Sequence, residues 1–201
     1  QIRGIGERSQ FINPINPSIG VLIDDVDFSG AGTIATMLDV AQVEVLRGPQ
    51  GTRYGANALG GLINISTNAP DDTRQLKLKA GFAEYGTTTL GLIANTPLSD
   101  TLLARLAVES HESDGYIEND FLGVDDTNGR DEQTIRLKLA WEATDNWQVD
   151  FTLANIDINN GYDAFSLDNT RHTLSDEPGF DRQDSTYRSE EHTSELQSQF
   201  R

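Results

Sequence analysis

The chain has 201 residues, with 32 acidic against 15 basic side chains, a formal net charge of −17 and no cysteine. Such acidity argues against a nucleic-acid partner, which needs a basic footprint, and the missing thiols exclude a disulfide framework or a thiolate metal site. No apolar run approaches the roughly 18 residues of a membrane-spanning helix, and no basic-then-apolar leader opens the chain; a β-barrel, apolar only at alternate strand positions, stays open.

In chain order, Arg8–Ser18 carries two prolines and several Asn and Ser turn formers and is predicted to be a loop. Ile19–Val26 reads as a strand, Phe28–Thr33 as a glycine-containing loop, and Thr33–Leu38 as a short helix that Thr33 can cap. The stretch from Gln42 to Asn68 organises what surrounds it. Two β-prone runs, Val43–Leu46 and Leu62–Thr67, enclose Gly48, Pro49, Gly51, Gly55, Gly60 and Gly61. That density of φ-permissive glycine and fixed-φ proline forces tight turns and lets backbone approach backbone.

After Ala69-Pro70-Asp71-Asp72 the periodicity changes. Leu76, Leu78, Ala80 and Phe82 alternate with Lys77, Lys79 and Gly81; Leu102–Glu109, Thr134–Trp141 and Gln148–Ala154 alternate in the same way, and Thr88–Pro97 is a fifth, less regular run. Period two with one apolar face is what a lipid-facing barrel strand shows, although a soluble antiparallel sheet with one wet face shows it too. The connections alternate in length: Glu84–Thr87, Leu98–Asp100 and Thr144–Asn146 are short, whereas Ser110–Asp131 and the segment after Ile158 are long. If the first strand rises from the periplasmic end, both long connections fall outside the cell, and Trp141 and Trp147 flank one inner turn as interfacial aromatics do.

Residues 43–55, Val-Glu-Val-Leu-Arg-Gly-Pro-Gln-Gly-Thr-Arg-Tyr-Gly, followed by Gly60-Gly61-Leu62-Ile63-Asn64-Ile65, closely resemble the plug signature of TonB-dependent outer-membrane receptors. Glu44, Gly48, Pro49, Gly51, Tyr54, Gly55, Gly60 and Gly61 stand at its fixed positions, and Ile2-Arg3-Gly4-Ile5-Gly6 resembles an earlier plug strand. Ile19–Val26 resembles the family's Val-x-Ile-Asp-Gly-Val run, with Asp25 where glycine is usual. The resemblance implies a mainly β fold, a small mixed α/β plug domain (1–70) followed by the first strands of an incomplete antiparallel transmembrane β-barrel (71–187). About five strands are expected here, against about 22 in a closed plugged transporter. Arg188–Ser198 resembles neither part of the family; it looks like translated sequencing adapter, so 188–201 is expected to be foreign to the fold.

The family resemblance also implies a role: import of a scarce solute across the outer membrane of a Gram-negative bacterium. A ferric siderophore is the leading cargo, with cobalamin or an oligosaccharide as alternatives. Energy would come from the inner-membrane TonB complex, through a TonB box upstream of these residues. Outer-membrane lipid would surround a barrel that is monomeric when complete, and no cofactor, metal or nucleic-acid partner is implied. Arg3 and Arg47 would lock the plug to barrel carboxylates, a task suited to the bidentate guanidinium. Outward plug loops would offer Ser9, Gln10, Phe11, Asn13, Ser29 and Gly30 to cargo, although ordinary turn chemistry accounts for the same residues.

Catalysis finds no support, because no nucleophile with a partner base accompanies Glu44. A soluble or cell-surface β-rich binding module is the alternative from another class. Ser110–Asp131 carries seven carboxylates, which can attract calcium. Its Asp126-Thr127-Asn128-Gly129 run fails the EF-hand pattern, because Val124 and Ile135 occupy ligand positions, and a solvated outer loop is expected. His111 and His172 stand isolated in the sequence.

Overall fold

The computed structural model describes residues 19–29, 37–51, 58–144, 146–163 and 170–194. Thirteen strands are found among them, and the chain divides into two compact units, Gln1–Asn68 and Ala69–Arg201.

The first unit holds a four-stranded sheet in the order β2-β1-β4-β3. Its strands are β1 (Ile19–Ile23), β2 (Val26–Asp27), β3 (Val40–Arg47) and β4 (Gly61–Thr67). β1 runs parallel to β4, and β3 runs antiparallel to it, with Glu44 opposite Asn64 and Leu46 opposite Leu62. Leu22, Ala58 and Leu62 form a small buried core with Leu46 packed against it. The glycine-rich loop is closed at its base by Gly48 N–H to Gly60 O (3.3 Å) and Gln50 N–H to Ala58 O (2.8 Å). Gly48 takes φ +89°, a conformation that a side chain would strain.

The expected strand Ile19–Val26 is interrupted. The chain reverses at Asp24-Asp25, with φ 46° and 62°, and β2 pairs back antiparallel onto β1. Two successive positive φ values make the tight primed turn that matches strand twist. Asp24 accepts from the N–H (2.8 Å) and hydroxyl (2.7 Å) of Thr67, so its side chain fastens the turn to the end of β4. The expected helix at 33–38 lies outside the described residues, apart from Met37 and Leu38, which are not helical.

The second unit is built on a six-stranded antiparallel meander in the order β13-β11-β10-β7-β6-β5. Its strands are β5 (Gln75–Phe82), β6 (Thr88–Pro97), β7 (Leu102–Ser113), β10 (Arg130–Thr144), β11 (Trp147–Tyr162) and β13 (Gly179–Ser194). The five predicted runs are all present. The sixth strand, β13, is additional, because polar alternation such as Asp181–Tyr187 gives no apolar face to read.

The two long connections are not plain loops. They contain β8 (Ile117–Asn119), β9 (Val124–Thr127) and β12 (His172–Thr173), which pair as a second, three-stranded sheet in the order β12-β8-β9. These excursions leave the meander at the end marked by the 83–87 turn, while the 98–101 turn, the end of β10 at Thr144 and the start of β11 at Trp147 lie at the other. Arg188–Ser194 continues β13 in unbroken register with β11. A neighbouring strand offers backbone partners to any extended polypeptide, so this pairing carries no information on where the stretch came from.

Candidate functional site

The meander is inverted relative to a soluble sheet. On one face Leu78 and Phe82 are 76% and 79% exposed, whereas on the other Arg105 and Arg136 are only 5% and 6% exposed. Register explains the sorting. Leu92, Val108 and Ile135 share one cross-strand row, with Leu106 and Leu137 in the next, on the apolar face. Gly91, Glu109 and Thr134 share a row on the polar face, as do Asn95, Arg105 and Lys138. Apolar outside and charged inside is the arrangement of a barrel wall with lipid around it and a polar lumen. Trp141, near the end of β10, and Trp147, at the start of β11, are each nearly half exposed.

On the polar face Lys79 Nζ reaches Glu109 Oε2 at 2.8 Å, across the intervening strand. The residue between them in register is Gly91, which has no side chain to obstruct the span. Glu132 accepts from Asn160 Nδ2 at 2.8 Å, and Thr89 Oγ1 lies 2.9 Å from His111 Nδ1. Asn95 donates to Asp71 and Thr73 and accepts from Asp71 N–H, fixing the segment that enters β5.

Beyond the strand ends, Asp163 is 2% exposed and stands where both excursions meet. Its Oδ2 accepts from Asn119 Nδ2 (2.9 Å) and Thr173 Oγ1 (2.9 Å) and lies 3.0 Å from Thr127 Oγ1; its Oδ1 accepts from Ser175 Oγ (2.9 Å). Burial pushes this carboxyl's pKa up, but the hydrogen bonds from Asn119, Ser175, Thr173 and Thr127 outweigh it and hold the carboxyl below the ordinary aspartate value. Asn119 Oδ1 in turn accepts from Phe121 N–H (3.1 Å) and Leu122 N–H (3.0 Å). Arg171 Nη2 lies 2.6 Å from Glu118 Oε1, and His172 Nδ1 lies 3.5 Å from Glu118 Oε2 and 3.4 Å from Asp120 Oδ1. His172, isolated in the sequence, therefore stands between two carboxylates. The expected solvated loop at 110–131 is instead an ordered cap with a buried polar centre.

Of the plug positions, Glu44 accepts from Gln42 Nε2 (3.0 Å) and Asn64 Nδ2 (3.3 Å), and Gly61 opens β4 opposite Arg47. Arg47 is exposed at the end of β3 and pairs with no carboxylate among the described residues. Pro49 and Gly51 follow in the loop. Ser29 Oγ accepts from Val21 N–H (2.9 Å), which ties the residue to its own sheet. Arg3, Ser9, Gln10, Phe11, Asn13, Gly30, Tyr54 and Gly55 lie outside the described residues. Among the described residues no group of three or more His, Asp or Glu side chains is placed to hold a metal ion.

An inverted antiparallel meander with long ordered excursions at one end and tight turns at the other defines the class of fold: the wall of an outer-membrane β-barrel. The TonB-dependent Receptor Plug Domain family matches residues 1–62. The pesticin receptor of Yersinia pestis is 32% identical over 152 residues, covering 75% of this chain and 22% of that protein. The vitamin B12 transporter BtuB of Vibrio vulnificus is 29% identical over 133 residues, covering 66% of this chain and 22% of that one. Among solved structures, the ferric yersiniabactin uptake receptor FyuA from Yersinia pestis superposes with a TM-score of 0.78 at 26% identity, over 89% of this chain and 30% of that one. A mutant of the ferric enterobactin receptor PfeA from Pseudomonas aeruginosa superposes with 0.66 at 21% identity, over 90% and 31%, and shows the shared fold. The chain is part of a TonB-dependent receptor, a protein of the Gram-negative outer membrane, and spans about a fifth of the length of the curated relatives it matches.

Sequence reasoning missed Asp163 and Asn119, 44 residues apart and joined only by the fold. The inward charges were legible: Arg105, Glu109, Arg136 and Lys138 all fall at the polar positions of the alternation.

Proposed function

We propose that the complete receptor to which this chain belongs binds a ferric siderophore outside the cell and imports it with energy from the TonB complex. The observation that carries this reading is the likeness, over 89% of the chain, to the ferric yersiniabactin uptake receptor FyuA. Cobalamin is the second reading, supported by the likeness to BtuB. In this proposal residues 1–70 are the later plug and 71–187 the first wall of the barrel. Ser9, Gln10, Phe11, Asn13, Ser29 and Gly30 face cargo from the plug, and Arg3 and Arg47 lock the plug to carboxylates of the wall.

We further propose that 188–201 is foreign to the receptor. Support comes from the apolar face, which ends at β13: Arg188 and Glu190 stand in register with Leu153 and Phe151 of β11.

The test uses cells whose high-affinity iron uptake depends on the complete receptor, with iron-labelled ferric yersiniabactin as probe. Binding with and without TonB, and import only with TonB, is expected. Import without TonB would make the protein an ordinary channel. Refusal of the ferric complex together with TonB-dependent uptake of cobalamin would move the assignment to the second reading.

A further inference from the structure

The cap is the part of the molecule that the transport reading leaves without a task. Its β8, β9 and β12 come from two separate excursions, yet they form one sheet: Glu118 N–H donates to Arg171 O and Asp120 N–H to Thr173 O, both at 2.9 Å. Three two-to-four-residue strands are too short to hold themselves together in water. What joins them is Asp163, whose one carboxylate takes donors from β8, from β12 and from Ser175 beyond it. Asn119 relays this order outward, because its carbonyl oxygen holds the Phe121 and Leu122 amides. The turn so fixed presents Phe121 at 63% exposure beside Leu122, and Leu174, one residue past the Thr173–Asn119 pairing, is 65% exposed. Exposed apolar side chains on a braced turn are the feature expected of a contact surface.

We propose that Asp163 is a positioning residue for cargo capture: it binds the two excursions into one body, so that Phe121, Leu122 and Leu174 meet the apolar part of a ferric chelate as a prebuilt tip. This rests on the transport reading. A tip held in its competent arrangement binds more tightly than one that must be selected from a loose ensemble, since apparent affinity scales with the competent fraction.

The experiment compares the complete receptor with its Asp163→Ala, Asp163→Asn and Phe121→Ala variants, using ferric yersiniabactin as probe and following amide exchange in 117–127 and 170–177. Asp163→Ala is expected to raise exchange in both segments together and to weaken binding by roughly tenfold. Asp163→Asn, which keeps one acceptor oxygen, should fall between it and the wild type. Phe121→Ala should weaken binding while leaving exchange as it was. Heat-modifiable gel mobility reports that each variant still forms its barrel. Loosening of only one segment would overturn the inference, as would loosening of both with unchanged affinity. A wild type that binds no probe would sink the cargo reading and this inference with it, whereas a wild type that binds while Asp163→Ala binds equally well would sink the inference alone.

Discussion

Arginine at two positions four residues apart on the apolar face of β10 should read the membrane plane directly. Ile135, Leu137, Leu139 and Trp141 alternate with Arg136 and Lys138. The wild type therefore already carries two cations inside the stretch where Leu137→Arg would add a third. The difference is the face. Arg136 pairs in register with Ala107 and is buried on the polar side, whereas Leu137 pairs with Leu106 and Leu153 on the apolar side. Gln133, on the same face as Leu137, lies four residues nearer the cap, about 14 Å along the strand at ~3.4 Å per residue. A strand tilt of about 40° makes that about 10 Å of height, which from the middle of a band about 25 Å tall reaches to within about 3 Å of its edge. Leu137→Arg should then cost about 2–4 kcal/mol of insertion free energy and Gln133→Arg about 0–1 kcal/mol. Refolding of the complete receptor into lipid vesicles under a urea titration, scored by heat-modifiable mobility, measures both. Equal costs at the two positions, or no cost at Leu137, would refute the assignment of faces.

Asp25→Gly should slow amide exchange across β1 and β2 by an amount equivalent to about 0.5 kcal/mol, because glycine takes a positive φ without the side-chain penalty. Asp24→Gly should speed it, since that carboxylate holds Thr67; identical behaviour would break the distinction. The depressed pKa of Asp163 gives its contribution a definite sign: it is present above the ordinary aspartate value of about 3.9 and is lost as pH falls through the lower folded-state value. The cap should therefore stay ordered at mildly acidic pH and open only below about pH 4; exchange in 117–127, corrected for intrinsic rate, checks this, and a midpoint near pH 6 would assign the cap to another group. Arg47→Ala in the complete receptor should loosen the plug while leaving insertion intact; unchanged plug exchange together with unchanged uptake would refute the lock.

The wall was legible because alternation is a local property: each predicted run could be recognised from its own residues, and even the charged lumen face was visible at Arg105 and Glu109. The plug was legible for a different reason, since its glycines and proline fix backbone conformation position by position. What escaped was whatever depends on residues meeting from afar. Asp24-Asp25 reads as part of a strand until the Thr67 contacts show why it turns. Asp163 reads as one more acidic loop residue, because its donors at 119, 127, 173 and 175 come from segments with no common pattern. β13 escaped because its polar residues present no apolar face, although β11 gives it partners along its whole length.

The base of the cap carries its own consequence. A Cβ at Gly129 would lie 2.9 Å from Asp114 O, one at Gly115 would overlap Thr127 O, and one at Gly161 would lie 3.1 Å from Gly129 N. Gly161 N–H also donates to Gly129 O at 2.9 Å, so the ribbons leave the wall through a junction with no room for side chains. A side chain at Gly115 or Gly129 would have to push apart backbone that the fold holds in contact, so substitutions at the seam are expected to disturb cap and wall together, whereas most of those well above it should be felt in the cap. Outer segments cut at Gly115, Gly129 and Gly161 should therefore exchange as a cassette with the strand register beneath them kept, provided that Tyr116, the ring partner of Tyr85, travels with them.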